Sequence, residues 1–389
     1  MTALTLAQIL IGTSLIGDSL LRFTLLCLRG TLTARPATER GANAAAHHSR
    51  CLVLIPAHNE AGTIGATVAA LQAELSESPS AQLWVMADRC TDGTAPEAEA
   101  AGARVAARTE GRLGKGAVLA WWLAQYSSEW QSGDCLVILD ADSRLSAGGL
   151  NELRLALDSG AVAAQTFVAP AAANNAARLA GWSEVLMQDI DDEARLRCGW
   201  NVPLRGTGMA FRAEVLAELT PYLHTLAEDL ELDVLLAARR AKVLFVPQAK
   251  VYDPKPQQTA GASRQRARWL QGQVQVIRDY WREALQALLT GGIGAWFLLW
   301  LLFLRPKTAL IGIRLLLLAV GLLSTGWLLA GLALLGLVLD VMYYLGGAAI
   351  VEERQRYLQD LLAAPRYVAM WLYSFGLATV RRGWLKAGR

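Results

Sequence analysis

Asp140-Ala141-Asp142 closes the apolar run Cys135-Leu136-Val137-Ile138-Leu139. A short apolar run of this kind reads as a buried strand, so two carboxylates emerge together at its carboxyl end. Left as a simple loop, they would be two close like charges uncompensated at a buried edge, whereas a hard divalent ion would balance them and meet a diphosphate. Upstream stand Pro56-Ala57-His58-Asn59-Glu60 and Asp88, and downstream stand Glu228-Asp229 and Gln265-Arg266-Ala267-Arg268-Trp269. The set suits chemistry on a nucleotide-activated substrate.

Each member also has a plainer reading. Glu60 can be a first-turn acid favouring a helix dipole, and Asp92 a turn or cap residue. Asp88 closes a strand, where a ligand role and a turn role are equally open. Gly114-Lys115-Gly116 lacks the spaced glycine and the following Ser or Thr of a P-loop, so Lys115 either meets a phosphate from a helix start or is a solvated lysine. Glu228 and Asp229 open a helix, where partial burial can lift a carboxylate toward useful basicity. Gly206-Thr207-Gly208 predicts a backbone that approaches something closely. Gln265, Arg268 and Trp269 share one helical face or its edge and offer an amide, a planar cation and an aromatic plate, or simply an interfacial anchor. The five scattered cysteines have no metal or redox spacing, and Cys90 reads as space-filling.

The elements that must hold these residues alternate. Apolar runs at 51–55, 83–86, 104–107 and 135–139 read as strands, with helical patterns through Thr67, Val68, Leu71 and Leu75 and from about Gly116 to Gln125 between them. Such alternation predicts an α/β fold, a mostly parallel sheet with helices on both faces. His58, Glu60, Asp88, Asp140 and Asp142 then all fall at carboxyl ends of strands, where such sheets bind ligands.

The chain has 389 residues, 53% of them hydrophobic, and a mean hydropathy of +0.28, more apolar than an ordinary soluble domain. The excess lies near residues 4–28 and 291–350. We expect an N-terminal transmembrane anchor (1–28), a globular domain (48–275), interfacial helices (276–307), two transmembrane helices (308–350), and a cytosolic and interfacial C-terminal segment (351–389). Asp18 and Arg22, four residues apart, can pair on one helical face. Arg314, one turn into its span, is expected to snorkel to the interface. Arg29, Arg35, Arg40 and Arg50 follow the first span and nothing basic precedes it, which predicts a cytoplasmic domain. Three crossings put every basic cluster on one side, including Arg305, Lys307, Arg381, Arg382, Lys386 and Arg389; five crossings fit the lengths but not the charges. A net charge of +3, without dense basic and aromatic stretches, argues against nucleic-acid binding.

Over residues 51–275, with flanking apolar segments, the chain resembles the membrane-bound family 2 glycosyltransferases, which include cellulose, hyaluronan and chitin-oligosaccharide synthases and ceramide glucosyltransferases. The motifs follow in family order: Pro56 to Glu60, Asp88, Asp140-Ala141-Asp142, Glu228-Asp229 and Gln265-x-x-Arg268-Trp269. The resemblance implies a GT-A domain, a nucleotide diphosphosugar donor (a UDP-sugar by this likeness), Mg2+ or Mn2+, and inversion in a single displacement. It implies that Pro56, His58, Glu60 and Asp88 line the nucleoside end, and that Asp140 and Asp142 hold the metal. Lys115, Asp140, Gln265, Arg268 and Trp269 would hold the diphosphate and shape the acceptor end. Asp229 would be the general base, with Glu228 beside it. His58 stands where relatives often carry an aromatic, and Asp88-Arg89-Cys90 lacks their second acid and glycine. The implied acceptor is a glycan or lipid-linked substrate at the cytoplasmic face of a bacterial inner (plasma) membrane, in cell-envelope or exopolysaccharide synthesis, with membrane lipids and a polysaccharide-synthesis or export protein as partners. A non-processive glycolipid glucosyltransferase and a catalytically silent membrane scaffold are the competing expectations.

Overall fold

A computed structural model describes residues 3–29, 49–76, 80–171, 175–254, 259–303, 307–324 and 326–380. Arg35, Arg40, Arg305, Arg381, Arg382, Lys386 and Arg389, on which the expected orientation partly rests, lie outside the described residues.

The four apolar runs form strands β1 (Cys51–Ala57), β2 (Gln82–Asp88), β3 (Arg104–Arg108) and β4 (Cys135–Ile138). They are joined by β5 (Arg144–Leu145), β6 (Ala163–Ala171), β7 (Met209–Arg212) and β8 (Val243–Pro254) in one sheet of spatial order β3-β2-β1-β4-β7-β6-β8-β5. β3, β2, β1 and β4 are parallel, as are β6 and β8, while β7 and β5 run antiparallel to their neighbours. The reversal at β7 has a use. Met209 pairs with Ile138, so the Gly206-Thr207-Gly208 loop enters the sheet at the rim where β4 delivers Asp140.

Alternation along β1 explains the two-sided core. Leu52 and Leu54 pack with Leu119 and Trp122 of the helix Lys115–Gln125 on one face. Val53 and Ile55 pack with Val68 and Leu71 of the helix Ile64–Ser76 on the other. Each such aliphatic side chain, fully buried, contributes about 1.5–3 kcal/mol.

The helix Gly292–Phe303 belongs to the globular domain by packing. Leu298, Leu299 and Leu302 enter the same core cluster, and Gln273 Nε2 donates to the Leu302 carbonyl at 2.7 Å. Twelve residues of helix span about 18 Å, short of a ~30 Å hydrocarbon layer.

Of the three crossings expected, one helix among the described residues, Trp327–Gly347, is long and apolar enough to cross a membrane, with a mean hydropathy of 2.1. Lys307–Leu323 has 17 residues and stops before Ser324; Ala3–Leu28 has 26 but carries buried Asp18, Ser19 and Arg22. Arg314 does not snorkel. It is 1% exposed and reaches Asp340 of the neighbouring helix at 2.5 Å, because an acid within reach offers an apolar bundle a nearer partner than water.

Candidate active site

The rim of β1 and β2 is built by two loops that hydrogen-bond to each other. Glu60 N–H donates to Thr94 Oγ1 at 2.7 Å, and Thr91 N–H to Asn59 Oδ1 at 2.8 Å. Asp92 accepts from the amides of Thr94 at 3.1 Å and Ala61 at 3.2 Å, which is the turn role, and Cys90 Sγ bridges Asn59 N and the Ala57 carbonyl. His58 Nδ1 lies 2.6 Å from the Asp88 carbonyl. Asp88 is 6% exposed and its carboxylate is gripped by Arg89, whose Nε lies 3.0 Å from Oδ1, with Arg108 at 3.7 Å. Asn59 (φ 55) and Arg89 (φ 51) are both left-handed, conformations that cost a non-glycine residue free energy and cluster at functional sites.

At the end of β4, Lys115 joins three pieces of chain. Its ammonium lies 2.5 Å from Asp140 Oδ1, 2.6 Å from the Gly206 carbonyl and 4.0 Å from Glu228 Oε1. Neither sequence alternative for Lys115 anticipated this, because its partners come from 25 to 113 residues away (140 − 115 and 228 − 115). Burial alone depresses the ammonium, but Asp140, Glu228 and Asp229 outweigh it and hold its pKa above the ordinary lysine value. The amide of Asp140 donates to Thr207 Oγ1 at 3.1 Å, which fixes the acid against the glycine loop.

Among the described residues no cluster of three or more His, Cys, Asp or Glu side chains forms a metal cage. Two carboxylates facing a large cavity are nevertheless the donor set Mg2+ uses when substrate phosphates complete its shell, so Asp140 and Asp142 fit such an ion.

Glu228 and Asp229 begin the helix Glu228–Ala238, whose Leu232, Leu235 and Leu236 anchor it in the core. Asp229 Oδ1 accepts the Leu230 amide at 2.9 Å. Gly206, at φ 80, presents backbone to both acids; a Cβ there would lie 3.9 Å from Asp229 Oδ2 and from Glu228 Oε1. Burial pushes the Glu228 carboxyl up to about 7 against the pull of Lys115, with Asp229 and Asp140 adding to the rise. Glu231, fully buried one turn on, accepts the amides of His224 at 2.9 Å and Thr225 at 2.8 Å and so shapes the loop before the acids.

Gln265, Arg268 and Trp269 lie on the helix Thr259–Asp279, with Ala267 and Leu270 buried and Trp269 45% exposed. Gly272 lets this helix touch Ala227, since a Cβ there would come within 2.7 Å of Ala227 Cβ. Arg266 turns away and stacks 5.2 Å from both Tyr367 and Trp371 of the C-terminal helix Ala364–Val380.

The rim of β1 and β2, the end of β4, the start of the Glu228–Ala238 helix and one face of the Thr259–Asp279 helix border one cavity of about 1630 Å³. Every residue that the sequence singled out for binding, metal or catalysis lines it, from Pro56, His58, Glu60 and Asp88 to Gln265, Arg268 and Trp269. Glu184, Arg205, Tyr252 and Asp253 also line it and carried no sequence signal, because isolated charges on unrecognised elements look like surface. Tyr252 and Asp253 arrive at this rim because β8 runs parallel to β6.

A model of the family described as Glycosyltransferase like family 2 matches residues 48–272. Among solved structures the chain is similar to the mannosyltransferase PcManGT from Pyrobaculum calidifontis, in complex with GDP-Man and Mn2+. Identity is 18% over 95% of this chain and 97% of that one, with a TM-score of 0.54, a likeness of fold. Glucosyl-3-phosphoglycerate synthase from Mycobacterium tuberculosis, in complex with Mg2+ and UDP, is 25% identical over 55% of this chain and 75% of that one, with a TM-score of 0.38. No curated protein matches the chain.

Proposed function

The chain belongs to glycosyltransferase-like family 2, and we propose that it transfers a glycosyl group, with inversion, from a nucleoside diphosphosugar to a hydroxyl of a glycan or lipid-linked acceptor at a membrane surface. The observation that carries this reading is the meeting of Asp140, Asp142, Lys115, Glu228, Asp229, Gln265, Arg268 and Trp269 in one cavity, although they come from four separate stretches of sequence.

In this reading Asp140 and Asp142 hold Mg2+ or Mn2+, which when bound neutralises charge on the donor diphosphate. Arg268 offers a guanidinium to the leaving diphosphate, where negative charge grows in the transition state. Asp229 takes the proton from the acceptor hydroxyl as it attacks the anomeric carbon. Trp269 gives the acceptor sugar an exposed aromatic face, and His58, Glu60 and Asp88 line the nucleoside end. A catalytically silent scaffold would have no use for Glu228 held near neutrality beside Asp229.

The membrane part of the proposal rests on the apolar helix Trp327–Gly347 and on the contact of the Thr259–Asp279 helix with the C-terminal helix through Arg266. With one candidate span among the described residues, a single transfer to a glycolipid fits as well as polymer synthesis, since a polymer channel needs several helices around it. The test is a screen of radiolabelled UDP- and GDP-sugars with the purified chain in lipid and Mn2+, with the product sized. Expected is metal-dependent labelling from one donor class; absence of nucleotide binding to the wild-type protein would overturn the proposal.

A further inference from the structure

Residues 223–227 carry the chain into Glu228 and Asp229, and Thr225, Leu226 and Ala227 line the cavity beside those acids. Three helices converge on this loop. Leu223 is buried against the helix Lys115–Gln125, since a Cβ at Gly116 would come within 2.7 Å of Leu223 Cβ. Gln275 Oε1 of the Thr259–Asp279 helix accepts the Leu226 amide at 3.0 Å, and His224 Nε2 lies 3.2 Å from Asp279 Oδ2 at the end of that helix. The third contact comes from Glu231, one turn inside the Glu228–Ala238 helix.

Glu231 is fully buried, and its Oε1 gathers two consecutive loop amides, His224 N–H at 2.9 Å and Thr225 N–H at 2.8 Å. A buried carboxyl group is costly unless it is hydrogen-bonded, and this one takes both amide donors from the loop, folding it back onto the helix it precedes. Burial and the neighbouring Glu231 also push the pKa of the Tyr280 hydroxyl up, which keeps its proton for the Tyr222 carbonyl 2.5 Å away. The acids therefore stand on a loop whose far side is bonded to the helix that presents Gln265, Arg268 and Trp269. In a single displacement the acceptor hydroxyl loses its proton on one side of the anomeric carbon while the diphosphate leaves on the other. The spacing between Asp229 and Arg268 then bears on the rate, and a misplacement of ~1 Å can cost about a hundredfold.

We propose that Glu231 is a positioning residue for glycosyl transfer: by gathering the His224 and Thr225 amides it sets the loop 223–227 as a strut that fixes Asp229 relative to the Arg268 face of the Thr259–Asp279 helix. Gln275 holds the other end of the same strut. The kinetic side of this inference rests on the transferase reading above, while its structural side does not.

The test uses the full chain in lipid nanodiscs and compares Glu231→Met, Glu231→Gln and Gln275→Met with the wild type, using the UDP- or GDP-sugar that the wild type turns over. Rates are referred to the concentration of sites that bind the nucleotide with Mn2+, which removes any unfolded fraction. In Glu231→Met the two amides lose their acceptor, so hydrogen exchange at 224–226 accelerates and kcat falls by about tenfold or more with the donor KM within about twofold. Glu231→Gln keeps an acceptor oxygen at similar volume, and both readouts return to within about threefold of the wild type. Should Glu231→Met not fold, Gln275→Met carries the test from the other end of the strut: the Leu226 amide exchanges faster and kcat falls severalfold at constant donor KM. Unchanged exchange, unchanged kcat, a loss that falls on the donor KM instead of kcat, or an equal loss in Glu231→Met and Glu231→Gln overturns the inference. Hydrogen exchange needs no donor, so a wild-type protein that turns over no nucleotide sugar fails the transferase reading and leaves the exchange result intact.

Discussion

The Lys115 ammonium lies 2.5 Å from Asp140 Oδ1, so the first acid of Asp140-Ala141-Asp142 is already neutralised by the protein. A cation arriving at Asp140 meets the repulsion of that ammonium whichever carboxylate oxygen it takes. Lys115→Met should therefore bind Mn2+ alone more tightly, by up to roughly tenfold, because a nearby positive charge has gone. The same variant should turn over about a hundredfold more slowly, since a positive charge facing the diphosphate has gone too. Calorimetric titration with MnCl2, followed by steady-state kinetics, checks both halves; weaker Mn2+ binding in the variant would contradict the competition.

The two acids of that motif should not be equivalent to the rest of the cavity lining. Chelation with EDTA should stop transfer and Mn2+ or Mg2+ restore it. Asp140→Asn and Asp142→Asn should each lose metal-dependent nucleotide binding at any accessible Mn2+ concentration. Nucleotide affinity that stays the same with and without metal in either variant would remove these residues from the metal site.

A general base acts on the rate and not on donor capture. Asp229→Asn should lower kcat by about 10²- to 10⁴-fold while leaving nucleotide affinity within a few fold. Ordinary turnover in Asp229→Asn would shift the role to Glu228, which shares the same helix start. The comparison with Glu228→Gln decides between them.

The strands that carry chemistry are legible because each is a dense apolar run with a clear stop, Cys51 to Ile55 ended by Pro56 and Cys135 to Leu139 by Asp140. β6 and β8 are not. Ala163-Ala164-Gln165-Thr166 has weak contrast, and in β8 Pro247 interrupts the run and Asp253 breaks the alternation set by Ala249 and Val251. Gly206-Thr207-Gly208 predicts a close approach, and a Cβ at Gly208 would meet Thr166 Oγ1 at 2.0 Å, but nothing in the sequence marks the partner strand. The same limit applies to charges. Asp18 and Arg22 could be paired by their spacing, whereas Asp191 lies 169 residues from Arg22 (191 − 22), and only the folded chain brings them together. The expected snorkelling of Arg314 fails for the same reason, its partner Asp340 being on another helix.

The raised Glu228 pKa has a consequence for stability. Burial carries this carboxyl up to about 7, against Lys115 and with Asp229 and Asp140, whereas in an unfolded chain glutamate titrates near 4.3. Between those values the folded protein keeps a proton that the unfolded chain has released, so raising the pH favours unfolding. This contribution is fully present below about pH 4.3, declines as the pH rises to about 7, and is flat beyond. Its size is on the order of 4 kcal/mol at most. Glu228→Gln cannot ionise, so its stability should lack this decline. Urea midpoints of metal-free protein at pH 5 and pH 8 measure it: the wild type should lose more stability between the two than Glu228→Gln does, and equal losses would mean that burial does not hold the Glu228 proton.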